Sequence, residues 1–265
     1  MKVKSIQTGV LLAVVLTLAV GTLMFTTEVG KVDASTTSKV SSVPTPLKEA
    51  KLNIEHNATA QDTGFQGAVD SEGWKQLTFT GPKGKVLNIT GIGKLKELGL
   101  TELFFESVEP ENADVPIADM LSKLPEGNYV ITGRGMENGE ETGKTIGTAW
   151  FTHDIPEGAA LLLPAEGATV PTNEDLLMDW GPVTKTITGE NVTIISYQLI
   201  VEKIGNPHPH MIGKMSSMSM YVPAGVTSMR VPKEFLEAGT DYDWEVLAIE
   251  ESGNQTLSSG KFSTQ

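Results

Sequence analysis

Strict alternation of apolar and polar residues marks the stretch Thr227 to Glu250. Tyr242, Trp244, Val246 and Ala248 fall on one face, and Asp241, Asp243 and Glu245 on the other. Leu236, Gly239 and Tyr242 just upstream have the spacing of a sandwich corner, where a tyrosine hydroxyl bonds back to nearby backbone. Further strand candidates follow the same logic. Leu176 to Trp180, Ile194 to Lys203, Ser219 to Val222, Met229 to Val231 and Gly260 to Ser263 join Tyr242 to Glu250 in the C-terminal half. Pro171, Pro182 and Pro223 sit at the ends of these runs, where no central ladder bond is lost.

The N-terminal half reads as short strands too. Lys51 to Ile54 is one. Asn57 to Gly67 reads as a polar loop. Trp74 to Thr80 and Lys85 to Thr90 form a hairpin around Gly81-Pro82-Lys83-Gly84, although the alternation in its first arm leaves the inward face open. Leu103 to Val108, Tyr129 to Gly133 and Gly147 to Thr152 complete the set, and Ile117 to Leu124 offers one or two helical turns. The halves echo each other. Leu124-Pro-Glu-Gly127-Asn-Tyr129 resembles Leu236-Glu-Ala-Gly239-Thr-Asp-Tyr242, and each is followed by a strand, an acidic turn and a final strand. The expected fold is all-β: two consecutive β-sandwich domains, over residues 48–157 and 158–265.

Residues 1–34 read as a targeting segment. Lys2 and Lys4 precede Gly9 to Phe25, which carries no charge. A cleaved signal peptide and a retained membrane anchor both fit, and either places the remainder outside the cytoplasm, in a periplasm, cell envelope or medium. Residues 35–47 are rich in Ser, Thr and Pro and read as a flexible tether.

The C-terminal half resembles a fibronectin type III module. The resemblance rests on Leu177-Met-Asp-Trp180-Gly-Pro182-Val183, Ser196-Tyr197-Gln198-Leu199-Ile200-Val201, Val231-Pro232 and the corner Leu236 to Tyr242, and covers roughly residues 160–265. It implies a buried Trp180 and little about function, because such modules host many roles. The whole chain is similar to exported bacterial proteins that contain such a module.

Charge and composition narrow the choices. The chain of 265 residues has a formal net charge of −13, which disfavours phosphate backbones and anionic headgroups. Nucleic acid is excluded as a partner, and a membrane enters only through the N-terminal segment. With no cysteine, disulfides, thiol nucleophiles and thiolate metal sites are ruled out. No G-x-S-x-G, H-E-x-x-H or phosphate-binding glycine loop occurs, and His56 and His153 stand alone as surface or capping residues, so the chain reads as a non-enzyme. Two metal sites are candidates. His208, His210, Met211, Met215, Met218 and Met220 offer imidazole and thioether ligands for copper. Glu55, Asn57, Asp62 and Asp70 offer oxygen ligands for calcium. The competing readings are a hairpin whose methionines pack on a sandwich edge, and an ordinary polar loop. Asn57, Asn88, Asn191 and Asn254 open Asn-x-Thr sequons. The leading expectation is binding of another protein or a surface polymer through strand edges and loops, with metal binding as the alternative.

Overall fold

The computed structural model describes residues 41–205 and 217–265. The leader and most of the tether lie outside the described residues, as does the stretch bearing His208, His210, Met211 and Met215.

In the first body β1 (Ser41–Pro46), β2 (Glu49–Asn57), β3 (Asp62–Gly81) and β4 (Gly84–Thr90) lead to a short helix α1 (Gly93–Leu98). Then come β5 (Leu100–Glu106), α2 (Ile117–Leu121), β6 (Gly127–Glu137) and β7 (Glu140–Phe151). β3 organises this body. Its first half pairs with β2 and β5, and its second half with β4 and β6, so one long strand serves both layers. The core between them holds Leu52, Ile54, Phe65, Trp74, Leu77, Phe79, Tyr129, Ile131 and Phe151.

Register shifts explain the face left open by the sequence. β3 slips against β6 between Trp74 and Gln76. The extra residue lets Trp74 point inward together with Leu77 and Phe79, which strict alternation forbids. Two other expectations need correction. The polar loop from Asn57 shrinks to Ala58–Gln61, because Thr63 to Gly67 already belong to β3 and are buried. Gly67 is required there, since a Cβ would stand 2.4 Å from the Phe105 ring. The tether is likewise shorter than read, because Ser41–Pro46 forms β1, parallel to β7. An edge position tolerates Pro44 and Pro46, since their missing N–H groups are not needed on the outer side. Between β6 and β7 the loop is tight. Asn138 (φ 51°) and Gly139 (φ 81°) take the two left-handed positions of a two-residue hairpin turn.

In the second body the strands are β8 (Leu161–Leu163), β9 (Ala168–Val170), β10 (Leu176–Trp180), β11 (Ile194–Lys203), β12 (Ser217–Pro223), β13 (Ser228–Val231), β14 (Asp241–Glu250) and β15 (Gln255–Thr264). A three-stranded sheet in the order β13-β10-β8 faces the run β15-β14-β11-β12. Trp180, Tyr197 and Trp244 share the interior between them, with the Trp180 and Tyr197 rings 5.8 Å apart. This is the fibronectin type III-like sandwich implied by the resemblance, and the chain is all-β.

The corner geometry recurs in both bodies. Tyr242 Oη accepts from Glu237 N at 2.9 Å, and its ring stacks on Phe262 at 5.0 Å. Tyr129 Oη donates to the Pro125 carbonyl at 2.8 Å, and its ring meets Phe151 edge-on at 5.6 Å. Tyr129→Phe and Tyr242→Phe are each expected to cost about 1 kcal/mol in denaturant melts, the net worth of one hydrogen bond. A cost near zero at both positions would show that the rings alone make the corners.

The two sandwiches are not separate beads. β15 pairs with β2 in parallel, matching Gln255, Thr256 and Leu257 to Glu55, His56 and Asn57, so a single sheet runs through both bodies. Around this seam Asn254 is 1% exposed. Its Oδ1 accepts from Ile54 N at 2.8 Å, and its Nδ2 donates to the Thr152 and Asp154 carbonyls, each at 3.2 Å. The Asn254 sequon therefore serves as a structural clamp rather than an accessible acceptor. Ile200, Leu247 and Leu257 form a small buried cluster on the sheet face opposite the main core.

Candidate functional site

At the seam, β2, β3 and the end of β5 bring together carboxylates far apart in sequence. One oxygen each from Glu55, Glu106 and Glu109 lies within 4.8 Å of the others, a spacing one cation can bridge. Alternation along β2 builds half of this. Leu52 and Ile54 enter the core, which sends Glu55 to the opposite face. Glu106 ends β5, and Glu109 follows in the loop that folds back over Gly64, whose missing side chain leaves room for the Glu109 chain.

Amides hold the site in place. Gln255 Nε2 donates to Glu55 Oε2 and, at 3.1 Å, to Gln66 Oε1. Gln66 Nε2 donates to Glu106 Oε1 at 2.8 Å. Glu109 Oε1 is buried, and no protein donor reaches it among the described residues. Burial, reinforced by the charges of Glu55, Glu106 and Asp62, pushes the Glu109 carboxyl up to about 8. Burial also raises Glu55, against the opposing pull of the Gln255 hydrogen bond. Asp62 is raised by burial and by Glu111. Close like charges in a partly dry site favour either a retained proton or a bound cation.

This differs from the calcium set expected from the sequence. Glu55 belongs to the site, and Asp62 borders it through its charge. Asn57 is occupied in a turn, where its Oδ1 accepts from Thr59 N at 3.0 Å and Ala60 N at 2.8 Å. Asp70 pairs with Glu49 while Glu55 pairs with Gly64, so Asp70 lies about six residues, roughly 20 Å, along the strand from Glu55. Folding the supposed loop into a strand is what separates them. Glu106 and Glu109 were missed; the visible signal was the dense acidic run Glu102, Glu106, Glu109, Glu111 and Asp114.

Of the copper set, only Met218 and Met220 are described. They stand opposite Val201 and Leu199 on β11. Met218 packs on the second core and Met220 is exposed. His56 is not at the surface: it is buried, its Nδ1 lies 3.0 Å from Thr63 Oγ1, and burial lowers its pKa. His153 Nε2 sits 2.8 Å from the Leu124 carbonyl. The acidic stripe on β14 is partly neutralised, with Lys261 Nζ 3.3 Å from Asp243.

A second surface feature is the outer edge of β12. Among the described residues it pairs only with β11, and Tyr221 on it is exposed, as is Ile195 on β11.

No family model matches this sequence, and no curated protein does. Solved structures do show likeness. A two-domain fibronectin type III segment of chicken tenascin is 12% identical, with 82% of this chain and 98% of that one covered and a TM-score of 0.29. The FN1–FN3 domains of chicken CNTN1 give 10% identity, 83% and 65% coverage and a TM-score of 0.31. A bacterial ice-binding adhesin, described in connection with host cell surface retention, gives 12% identity, 84% and 65% coverage and a TM-score of 0.27. These likenesses concern the fold alone. The class defined by the coordinates is a two-body β-sandwich protein with a fibronectin type III-like second body.

Proposed function

We propose that this chain is a non-enzymatic, exported interaction protein that contacts another protein or a surface polymer through the outer edge of β12. The observation that carries this reading is that edge, which among the described residues pairs only with β11. Strand edges are ordinarily shielded, because their unpaired N–H and C=O groups recruit further strands. Here the edge is flanked by exposed Tyr221 and Ile195, which suits strand addition with side-chain selectivity. The uncharged run Gly9 to Phe25 supports export. Comparative capture from cell-envelope extracts tests it, using the wild-type chain and a Tyr221→Lys, Ile195→Lys variant. Both positions are exposed, so the variant should retain its stability within about 0.5 kcal/mol. A partner retained by the wild type and lost with the variant is the expected result; a partner bound equally by both would sink the role of this edge.

The carboxylates support a second reading, in which a hard divalent cation such as Ca²⁺ sits between Glu55, Glu106 and Glu109 and stiffens the seam. Oxygen ligands of this kind suit Ca²⁺ at about 2.3–2.6 Å. Calorimetry with Ca²⁺ should give one site per chain in the wild type and none in Glu109→Gln. Equal heats from the two proteins would place the ion elsewhere.

A further inference from the structure

The net charge of −13 hides a strongly uneven distribution. From Gly73 to Lys96 there is no acidic residue and there are five lysines, at positions 75, 83, 85, 94 and 96. This stretch forms the second half of β3, all of β4 and the start of α1. The exclusion of anionic lipid, read from the total charge, does not extend to this region.

α1 stands proud of the fold. None of its residues is buried, and Ile92, Leu95 and Leu98 are 79%, 53% and 73% exposed. Leu95 and Leu98, spaced three apart, fall about 60° apart on a helix of 3.6 residues per turn, and Ile92 precedes them as the extended N-cap. On the same projection Lys94 lies about 40° beyond Leu98 and Lys96 about 100° beyond Leu95, and Lys94 Nζ pairs with Glu97 at 2.9 Å. Exposed apolar side chains with lysines beside them suit a segment lying in a membrane interface. The segment is short, so it needs a second attachment to hold a protein at a bilayer.

The chain supplies one by its path. β1 enters the sheet at Ser41, which pairs with Gly143. Gly143 pairs with Gly135, and Gly135 with Trp74. Ser41 is thus three ladder steps, about 14 Å, from Trp74. Gly99, which closes α1, packs beside Met136 and the Trp74 carbonyl. The 40 residues before Ser41, which include the uncharged run Gly9 to Phe25, therefore join the fold at the end that carries α1. Fifteen residues separate Phe25 from Ser41 and span at most about 50 Å. The acidic β6–β7 turn, with Glu137 and Glu140, lies at this same end. It opposes binding, and Glu141 is drawn off by Arg134 at 3.1 Å and Lys75 at 3.5 Å.

We infer that α1 is an interfacial docking element which lays Ile92, Leu95 and Leu98 against an anionic lipid bilayer, with Lys94 and Lys96 meeting the headgroups. The absence of native cysteine makes the test clean. The full chain carrying Leu95→Cys is labelled with an environment-sensitive fluorophore and mixed with vesicles of equal parts phosphatidylglycerol and phosphatidylcholine. A chain labelled through Ser228→Cys, exposed on the second body, serves as reference. The expected result is a blue shift with an intensity rise of about twofold or more at position 95 and none at 228, since lysines near an anionic surface and buried apolar groups both favour contact. Pure phosphatidylcholine should give a smaller response at 95, and Lys94→Glu with Lys96→Glu should abolish the preference for the anionic vesicles. No shift at 95 with the anionic vesicles, or an equal shift at 228, overturns the inference. So does a response at 95 that ignores lipid charge and the lysine substitutions, because the leader alone would then account for it.

Discussion

Raising the pH from about 5 to about 9 is expected to weaken the fold, and Glu109→Gln is expected to remove much of that loss. In the folded chain the Glu109 carboxyl keeps its proton until about 8, whereas in the unfolded chain it titrates near the ordinary value of 4.5. Across that interval the folded state holds more protons than the unfolded state. The stabilisation is therefore complete below the ordinary value and is lost as the pH rises toward the folded one. Glu55 and Asp62 are displaced in the same direction and add to the slope. Because Glu109 is only partly buried, water screens part of the cost, and about 1–2 kcal/mol is a realistic size. For a protein of this length that is about 2–8 °C in melting temperature. Ca²⁺ should restore stability most at the alkaline end, where the site is fully charged. A melting temperature indifferent to pH in the wild type, or a slope unchanged by the substitution, would show that the three carboxylates do not act together.

The second large effect is expected at Asn254→Ala. The substitution leaves the buried Ile54 N–H without an acceptor and the Thr152 and Asp154 carbonyls without their Asn254 donor. Stranding the buried Ile54 N–H costs about 1–3 kcal/mol and the part-buried carbonyls add less, so a total of about 3 kcal/mol is expected. The loss falls on the seam, so unfolding followed by denaturant should change character as well as midpoint. The wild type should unfold in one transition and the variant in two, with the second body outlasting or preceding the first. The exposed Asn88 provides the contrast: Asn88→Ala should stay within about 0.5 kcal/mol. One unshifted transition in Asn254→Ala would mean that the β15–β2 ladder holds the bodies together without the clamp.

Much of the second body was legible in the sequence. β10 and β11 begin and end where periodicity placed them, and the corner tyrosine makes the bonds its spacing implied. Local pattern carries this information because each strand has one face in a core. The seam was harder to see, and β14 shows why. Its outer face begins polar with Asp241, Asp243 and Glu245, then turns apolar with Leu247 and Ile249. That change marks where the sheet stops facing water, and Leu247 is buried in the small cluster beside the junction. The carboxylate site was illegible for a related reason. Its members come from β2, the end of β5 and the loop after it, and only the reversal of β3 brings them within reach. Thr63 to Gly67 gave no hint of a strand, because glycine and glutamine suit a loop equally well by composition.

The uninterrupted ladder from β1 to β12 has a consequence for how contacts at its two ends add up. Nine strands in sequence share this ladder, which turns at β3, whose halves pair with β2 in one layer and β6 in the other. The hydrogen-bonded path fixes where an attachment near α1 stands relative to a ligand at β12, so the two contacts cannot swing independently. Targets presented at the matching height above a bilayer gain from a high effective concentration, and those at other heights gain little.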